Sequence, residues 1–206
     1  MERTTVRKTQ AERREAMVWR LQNATIHCLA EWGYARSSVA KICERAGVTQ
    51  GALFRHFPTR QALVASTTAE IGRRHVVAIE SFLENGVPAG VDLPRILAPF
   101  LRRAARSTAH AAWHEVMVAA RTDEELRECV RQPLQDFESA LLHTVNAVAG
   151  PSASPRTGAI VLSILHAFDS EAVTIQILPN PELERERLKW AEDVLREALS
   201  PTVSSL

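Results

Sequence analysis

The sequence predicts an all-α protein in which a small N-terminal domain precedes a larger helical domain. Apolar residues recur at helical spacing along most of the chain, whereas stretches that alternate apolar and polar residues are scarce. One Tyr and six Phe leave few aromatic residues for cross-strand pairs. With 206 residues, 46% of them hydrophobic, the chain is large enough to bury a core in two domains. We place these domains at residues 1–60 and 61–206.

Helix boundaries follow from glycines, prolines and apolar periodicity. A first helix is predicted over residues 10–32, because Gly33 is typical of a helix C-terminus. Two short helices follow, and Pro58 ends the second. Longer helices are predicted over residues 60–83, 94–108, 110–120, 123–149, 156–178 and 181–199. Loops are expected over residues 85–94 and from Pro151, and Pro133 is expected to kink or divide its helix.

The pattern of a helix-turn-helix occupies residues 37–60, which read SSVAKICERAGVTQGALFRHFPTR. Its core-facing residues are predicted to be Val39, Ile42, Cys43, Val48, Leu53 and Phe57. Gly47 lies at the corner, where a residue without Cβ adopts a positive φ at little cost. Thr49 is a favourable N-cap for the second helix. Such a helix is predicted to read DNA through its N-terminal residues.

The charge distribution agrees with a DNA-binding N-terminal domain. Residues 1–60 contain 11 Lys+Arg and 5 Asp+Glu, a net charge of +6, whereas the remaining residues carry 14 and 19, a net charge of −5. A basic domain attracts the phosphate backbone. An arm that carries Arg3, Arg7 and Lys8 precedes the first helix and could contact phosphates.

The segment AGVTQGALFRHFPTRQAL, with Ser-Ser-Val before it and an earlier helix that ends in WGY, resembles the DNA-binding domain of the TetR family of transcriptional regulators. The resemblance covers roughly residues 10–65. It implies a homodimer that binds a pseudo-palindromic DNA operator, represses transcription and is released by a small-molecule effector in a C-terminal helical domain. It places the base contacts on Gln50, Gly51 and Ala52, and the phosphate contacts on Ser38, Phe54, His56 and Arg60.

The chemistry of these side chains suits DNA. The Gln50 amide can form a bidentate pair with adenine, and the Ala52 methyl can contact a thymine methyl. Arg55 is expected to read a guanine or to pair with phosphate, and Lys41 is a further candidate phosphate contact. Ser38 has the alternative role of a helix cap, and His56 that of a packed histidine. Phe54 stands where the family usually has tyrosine, so the corresponding hydroxyl contact to phosphate is missing.

The C-terminal domain is expected to hold a hydrophobic or aromatic ligand, with no cofactor or metal. The candidate pocket lining is Phe82, Phe100, His110, Trp113, His114, Met117, Phe137 and His143. By resemblance, the last two helices would join two copies in a four-helix bundle. Their apolar residues at helical spacing, which have internal packing as the alternative role, are Ile160, Ile164, Leu165, Phe168, Ile175, Leu188, Ala191, Val194 and Leu195.

Three other interpretations are open. His110 and His114, spaced i,i+4 beside Glu115, could seat a metal in a helical enzyme, although spacing identifies no third ligand. A cluster on one helix could be mistaken for a nucleophilic triad but is interpreted as interface polar residues: Ser163, His166, Asp169 and Ser170. A non-sequence-specific architectural DNA-binding protein is the remaining alternative.

The cysteines and the hydropathy pattern predict free thiols and a cytoplasmic location. Cys28, Cys43 and Cys129 lack metal-type spacing and are expected to be free thiols. Cys43 occupies a position that is usually alanine in the family, which raises a redox role, but a small core residue is the favoured interpretation. A polar N-terminus and the lack of a long apolar run predict a cytoplasmic protein without a membrane partner.

Overall fold

The computed structural model describes residues 9–85, 90–150 and 156–199, and these ranges contain nine helices and no strand. The predicted all-α fold is therefore confirmed. The basic arm and parts of both predicted loops, residues 86–89 and 151–155, lie outside the described residues. None of the described helices combines the length and hydropathy that a membrane crossing requires. The helices are α1 (Gln10–Arg36), α2 (Val39–Ala46), α3 (Gln50–Phe54), α4 (Arg60–Asn85), α5 (Leu93–Ala105), α6 (Thr108–Ala120), α7 (Glu124–Ala149), α8 (Arg156–Thr174) and α9 (Pro181–Leu199).

Several helix ends differ from the predicted ones. Helix α1 continues to Arg36, but regular geometry is interrupted at Gly33, which has φ 74° and ψ 168°. Helix α3 ends at Phe54, before the predicted stop at Pro58, and α8 ends at Thr174 instead of residue 178. Helix α5 ends at Ala105 instead of residue 108, and α6 begins at Thr108 instead of residue 110. Helix α7 is not divided at Pro133.

The first hydrophobic core holds the helix-turn-helix on α1 and on the beginning of α4. Ile42 and Leu53 from the two short helices are fully buried against Leu21 and Cys28 of α1. Leu63 of α4 is fully buried in the same core. Apolar residues from four helices thus fix the orientation of α3, which is itself too short to be stable alone.

Two further cores involve the C-terminal helices. One joins α1 and α4 to α6 and α7 and includes the fully buried side chains of Leu29, Val64 and Ile71. The other joins the second half of α4 to α5, α7, α8 and α9. Because α4 contributes to all three cores, it fixes the helix-turn-helix relative to the C-terminal helices.

Candidate nucleic-acid interface and internal cavity

The turn between α2 and α3 has the geometry that the sequence predicts. Gly47 adopts φ 63° and ψ 41°, and its amide donates to the Glu44 carbonyl at 3.1 Å. The Thr49 hydroxyl accepts from the Ala52 amide at 3.2 Å and so caps α3. Leu53 is fully buried beneath the helix. The opposite face of α3 is therefore held toward solvent by a rigid turn.

The candidate base-contacting residues share this outward face. Gln50, Gly51 and Arg55 are exposed, and Ala52 is half-buried. If Gly51 carried a Cβ atom, its nearest contact with another described side chain would be the Thr49 hydroxyl, at 4.0 Å. Because Gly51 has no side chain and open space around it, a DNA groove can approach the backbone there, while the Gln50 amide and the Arg55 guanidinium reach base edges.

Three candidate phosphate contacts are exposed in the helix-turn-helix. Ser38 and Lys41 are exposed at the beginning of α2, and Phe54 is 46% exposed at the end of α3. The Ser38 hydroxyl accepts from the Lys41 amide at 3.4 Å, so it also caps α2. The Lys41 ammonium lies 4.7 Å from the centroid of the Trp32 ring. This contact stabilises the lysine stem while leaving its charge in solvent.

The other two candidate phosphate contacts have partners or burial within the chain. The Arg60 guanidinium donates from Nε to the Ser37 carbonyl at 3.0 Å and from a terminal nitrogen to the Tyr34 carbonyl. It also lies 3.9 Å from the centroid of the Tyr34 ring. His56 is half-buried, and its Nδ1 atom has no hydrogen-bond partner in the part of the chain that the structure describes. Arg60 thus ties α4 to the end of α1, a role that sequence reasoning missed.

At the kink of α1 near Gly33, the chain contacts α6. The Tyr34 amide donates to Glu115 Oε2 at 3.4 Å, and the Tyr34 hydroxyl donates to Asp123 Oδ2 at 3.4 Å. Burial, reinforced by the Asp123 carboxylate and opposed by Arg60, raises the pKa of Tyr34, which keeps its hydroxyl protonated. The WGY segment is the sequence signal at this contact, and by itself it predicts only a helix end.

The larger domain encloses a cavity of about 420 Å³ between α4, α5, α6, α7 and α8. This volume lies within the range of small-molecule sites, roughly 300–1,000 Å³. Most of the lining is apolar or aromatic, and five polar side chains interrupt it. The lining residues are His75, Ala78, Ile79, Phe100, Leu101, Ala104, Ala105, His110, Trp113, Met117, Leu134, Phe137, Glu138, Leu162, Leu165, His166 and Asp169.

The structure separates the predicted pocket residues into two groups. Those in the cavity wall are Phe100, His110, Trp113, Met117 and Phe137. Phe82, His114 and His143 are not in the wall, and this part of the prediction needs correction. Phe82 instead stacks on Phe100 with ring centroids 4.3 Å apart, and His143 is exposed on α7. Their apolar or aromatic character was readable from the sequence, but the direction of each side chain was not.

The polar part of the wall is a small histidine and carboxylate network. His110 Nε2 lies 2.8 Å from Asp169 Oδ1. Burial raises the pKa of Asp169, but the hydrogen bond from His110 and nearby histidine charges outweigh it, so the pKa is lowered and the carboxylate persists. His75 stacks edge-on with His110 at 5.4 Å, and burial together with His110 lowers the pKa of His75 to about 4. Within residues 9–85, 90–150 and 156–199, the buried Nε2 atom of His75 has no hydrogen-bond partner.

Most residues of the proposed metal site and of the proposed nucleophilic triad have other partners within the chain. Glu115 binds the Tyr34 amide, and His110 binds Asp169. Within residues 9–85, 90–150 and 156–199, no three His, Cys, Asp or Glu side chains are grouped to hold a metal ion. The Ser163 hydroxyl donates to the Ala159 carbonyl at 2.8 Å, which is a bond within its own helix. Two of the residues interpreted as interface polar groups, His166 and Asp169, line the cavity instead.

A buried ion-pair cluster lies beside the cavity and was not predicted. Glu171, fully buried on α8, accepts from Arg102 at 2.5 Å, from Arg106 at 2.6 Å and from Arg187 at 2.8 Å. Glu184 accepts from Arg102 at 2.7 Å and from Arg106 at 2.8 Å. Burial raises the pKa of Glu171, but the three guanidinium hydrogen bonds outweigh burial and lower it. The cluster joins α5 to α8 and α9.

Most residues predicted for a dimer interface pack inside the chain. Four of them are fully buried in its own core, namely Ile164, Phe168, Ala191 and Leu195. A further five are half-buried, namely Ile160, Leu165, Ile175, Leu188 and Val194. The four buried residues present no surface to a second copy, because the apolar stripe of each helix is used internally first. The exposed apolar residues of this region are Val173, Ile177, Leu178, Leu183 and Trp190.

The cysteines are free thiols, and two of the three are buried. Burial raises the pKa of Cys28 and of Cys43, so both side chains remain protonated near neutral pH. A protonated buried thiol is unreactive. Cys43 therefore has the environment of a small core residue.

Comparison with known proteins gives consistent results. A sequence model of the family described as bacterial regulatory proteins, tetR family, matches residues 21–74. The uncharacterized HTH-type transcriptional regulator Rv2912c of Mycobacterium tuberculosis is 36% identical over 196 residues, which are 93% of this chain and 99% of that protein. The solved structure of the multidrug binding protein EbrR complexed with imidazole has a TM-score of 0.62 at 20% identity, covering 98% of this chain and 100% of its own. FadR of Bacillus subtilis in complex with stearoyl-CoA has a TM-score of 0.56 at 16% identity, covering 89% and 98%.

Proposed function

Because this chain belongs to the tetR family of bacterial transcriptional regulators, we propose that two copies of it bind a pseudo-palindromic operator and repress transcription until a small ligand enters the cavity. Repression follows from sterics, since a bound dimer blocks polymerase and needs no activating surface. We further propose that the protein acts in the cytoplasm, where its operator and its ligand are both accessible.

The observation that carries the proposal is the exposed N-terminal face of α3. Gln50, Gly51 and Arg55 extend from a helix fixed by the Gly47 turn and the Thr49 cap. We assign base reading to Gln50, Gly51, Ala52 and Arg55, and phosphate contacts to Ser38, Lys41, Phe54 and His56. Arg60 has three partners within the chain, so we assign it to positioning of α4 and not to phosphate.

The exposed apolar residues on α8 and α9 support the dimer. Ile177 is 82% exposed and Leu178 is 70% exposed in the turn after α8, and Trp190 is 44% exposed on α9. Large apolar side chains on neighbouring helices favour association with a self-complementary surface. A second copy related by a twofold axis would place two α3 helices on one face of DNA, about 34 Å apart or a multiple of it.

Helix α6 supports communication between cavity and DNA. His110 and Trp113 line the cavity from α6, while Glu115 on the same helix binds the Tyr34 amide at the kink of α1. A ligand that displaces α6 must alter this contact and hence the position of the helix-turn-helix. Release follows if the ligand binds more tightly to the displaced arrangement than to the DNA-bound one.

The test is a selection of genomic DNA fragments by the purified full-length protein at near-physiological salt, followed by sequencing. We expect one palindromic motif, lost in Gln50→Ala. The matched control is Gln132→Ala, which changes an exposed glutamine of α7 and should leave the motif intact. Recovery of fragments without any motif would support an architectural DNA-binding protein and overturn the proposal.

A further inference from the structure

The charge of the cavity wall is one-sided. Among the described residues that line it, two carry carboxylates, Asp169 and Glu138, and none is Lys or Arg. Asp169 is partly buried and ionised, whereas Glu138 is exposed on α7. Positive charge among these lining residues can come only from the histidines, of which His110 is already hydrogen-bonded to Asp169.

The arginines of the neighbouring ion-pair cluster are already paired. Arg102 lies on α5, Arg106 directly follows α5 and Arg187 lies on α9, and all three donate to Glu171 or Glu184. None of them belongs to the cavity wall. An acidic ligand would have to break this buried cluster in order to recruit one of them, which would leave Glu171 or Glu184 uncompensated.

The aromatic side chains provide a second attraction for positive charge. Trp113 and Phe137 meet in the wall with ring centroids 5.0 Å apart in a T-shaped arrangement. The face of an aromatic ring attracts cations, most strongly for tryptophan. The Phe100 ring is less available, because Phe82 stacks on it and the Arg103 guanidinium lies 5.9 Å from its centroid.

Two histidines adjoin Asp169 in the cavity wall. Because an ionised carboxylate only accepts, His110 donates from Nε2 to Asp169 Oδ1, and this bond occupies one of the two carboxylate oxygens. Nε2 of His75 is buried beside this pair and has no hydrogen-bond partner among the described residues. A neutral imidazole can present such a nitrogen as an acceptor.

From these features we propose that the cavity binds a lipophilic organic cation. Its apolar body would contact Trp113, Phe137 and the aliphatic wall, and its ammonium group would meet Asp169 and His75, with Glu138 adding longer-range attraction. The inference rests on the proposed function only in treating this cavity as the effector site. A carboxylate ligand is disfavoured because its charge would approach the Asp169 carboxylate, and no lining residue is a Lys or Arg that could pair with it.

The test compares three probes with the same ring and different charge: 2-(1-naphthyl)ethylamine, 2-(1-naphthyl)ethanol and 1-naphthylacetate. Calorimetric titration of the full-length protein in the absence of DNA gives each dissociation constant. We expect the amine to bind at least about tenfold more tightly than the alcohol, as one partly buried charge pair provides, and the carboxylate to bind most weakly.

Variants identify the group responsible. Asp169→Asn should bring the amine to within about threefold of the alcohol, whereas Asp136→Asn, the same charge change at an exposed site of α7, should leave the tenfold preference. Circular dichroism verifies that both variants are folded, and Glu138→Gln serves as a second lining variant if Asp169→Asn is not. Binding of the carboxylate or alcohol as tightly as the amine, binding of none of the three probes, or a preference unchanged in the lining variants would overturn the proposal.

The same probes separate this inference from the proposed function. The protein is bound to a selected operator fragment, and each probe is added in turn. Release of the DNA by the amine supports both ligand-controlled repression and the proposed ligand class. Amine binding without DNA release would refute ligand-controlled repression but support the ligand class. DNA release by the carboxylate alone would support regulation and refute the ligand class.

Discussion

Replacement of Gly33 by alanine is expected to lower the free energy of unfolding by about 2–4 kcal/mol. The backbone at Gly33, with φ 74° and ψ 168°, lies in a region that is essentially restricted to glycine, and a residue with Cβ there costs about 1–3 kcal/mol. The added Cβ would also lie 2.8 Å from Glu115 Oε2. Displacement of that carboxylate would sacrifice its hydrogen bond from the Tyr34 amide, about 1 kcal/mol more.

Urea unfolding followed by circular dichroism, at one fixed protein concentration, measures this loss. Gly51→Ala is the matched control, because Gly51 has no positive φ and its built Cβ meets nothing closer than 4.0 Å. The control should be as stable as the native protein or up to about 1 kcal/mol more stable. A Gly33→Ala variant within about 0.5 kcal/mol of the native protein would refute the reasoning.

Three further predictions concern buried polar groups and thiols. Glu171→Gln should lower the free energy of unfolding by about 3–5 kcal/mol. In the native protein, the stabilisation from this carboxylate is fully present above pH 4.5 and is lost as the pH falls through the lower pKa that Glu171 has in the folded state. The variant should lack this pH dependence. The pKa of His75 is lowered from 6.5 to about 4, so the free energy of unfolding should decrease as the pH falls from 6.5 to 4, by at most about 1.4 kcal/mol per pH unit. His75→Gln should remove this dependence on pH, and His143→Gln should retain it. A thiol-specific disulfide reagent should modify the half-buried Cys129 rapidly and the buried Cys43 only as the protein unfolds.

Each of these has a contradicting result. Equal stability of Glu171→Gln and the native protein across the acid range would show that the three guanidiniums gain nothing from the carboxylate. Identical pH slopes for the two histidine variants would mean that His75 exchanges protons freely in the folded state. Rapid modification of Cys43 in the folded protein would reopen its redox role.

The helix-turn-helix could be predicted from sequence because its determinants are local. Gly47 and Thr49 act on the turn they belong to, and the spacing of Ile42 and Leu53 identifies the inner face without reference to distant residues. The same local chemistry ends α2 at Ala46, directly before Gly47. The predicted ends of α3 and α8 lie several residues too far along the chain.

The cavity and the dimer surface depend on distant partners, which periodicity cannot identify. Helical spacing marked Trp113 and Phe137 as apolar, but only the packing of α4 against α6 and α7 brings the His75 ring beside them. Asp169 was grouped with its helix neighbours when its partner is His110, 59 positions earlier in the chain. Likewise Ile164 and Leu195 were correctly identified as apolar, but their burial within one copy required the packing of α8 and α9 to be known.

Helix α4 offers no boundary at which recombination could exchange the helix-turn-helix for that of another protein without disturbing a core. Leu63 is buried in the core of the helix-turn-helix, while the next residue, Val64, is buried in the core shared with α6 and α7. Recombination at this boundary would pair one lineage's Leu63 with another lineage's surroundings for Val64, and the resulting chimaera would expose or overfill one core. A functional exchange of operator and ligand specificity therefore requires matching substitutions in both cores as well as recombination.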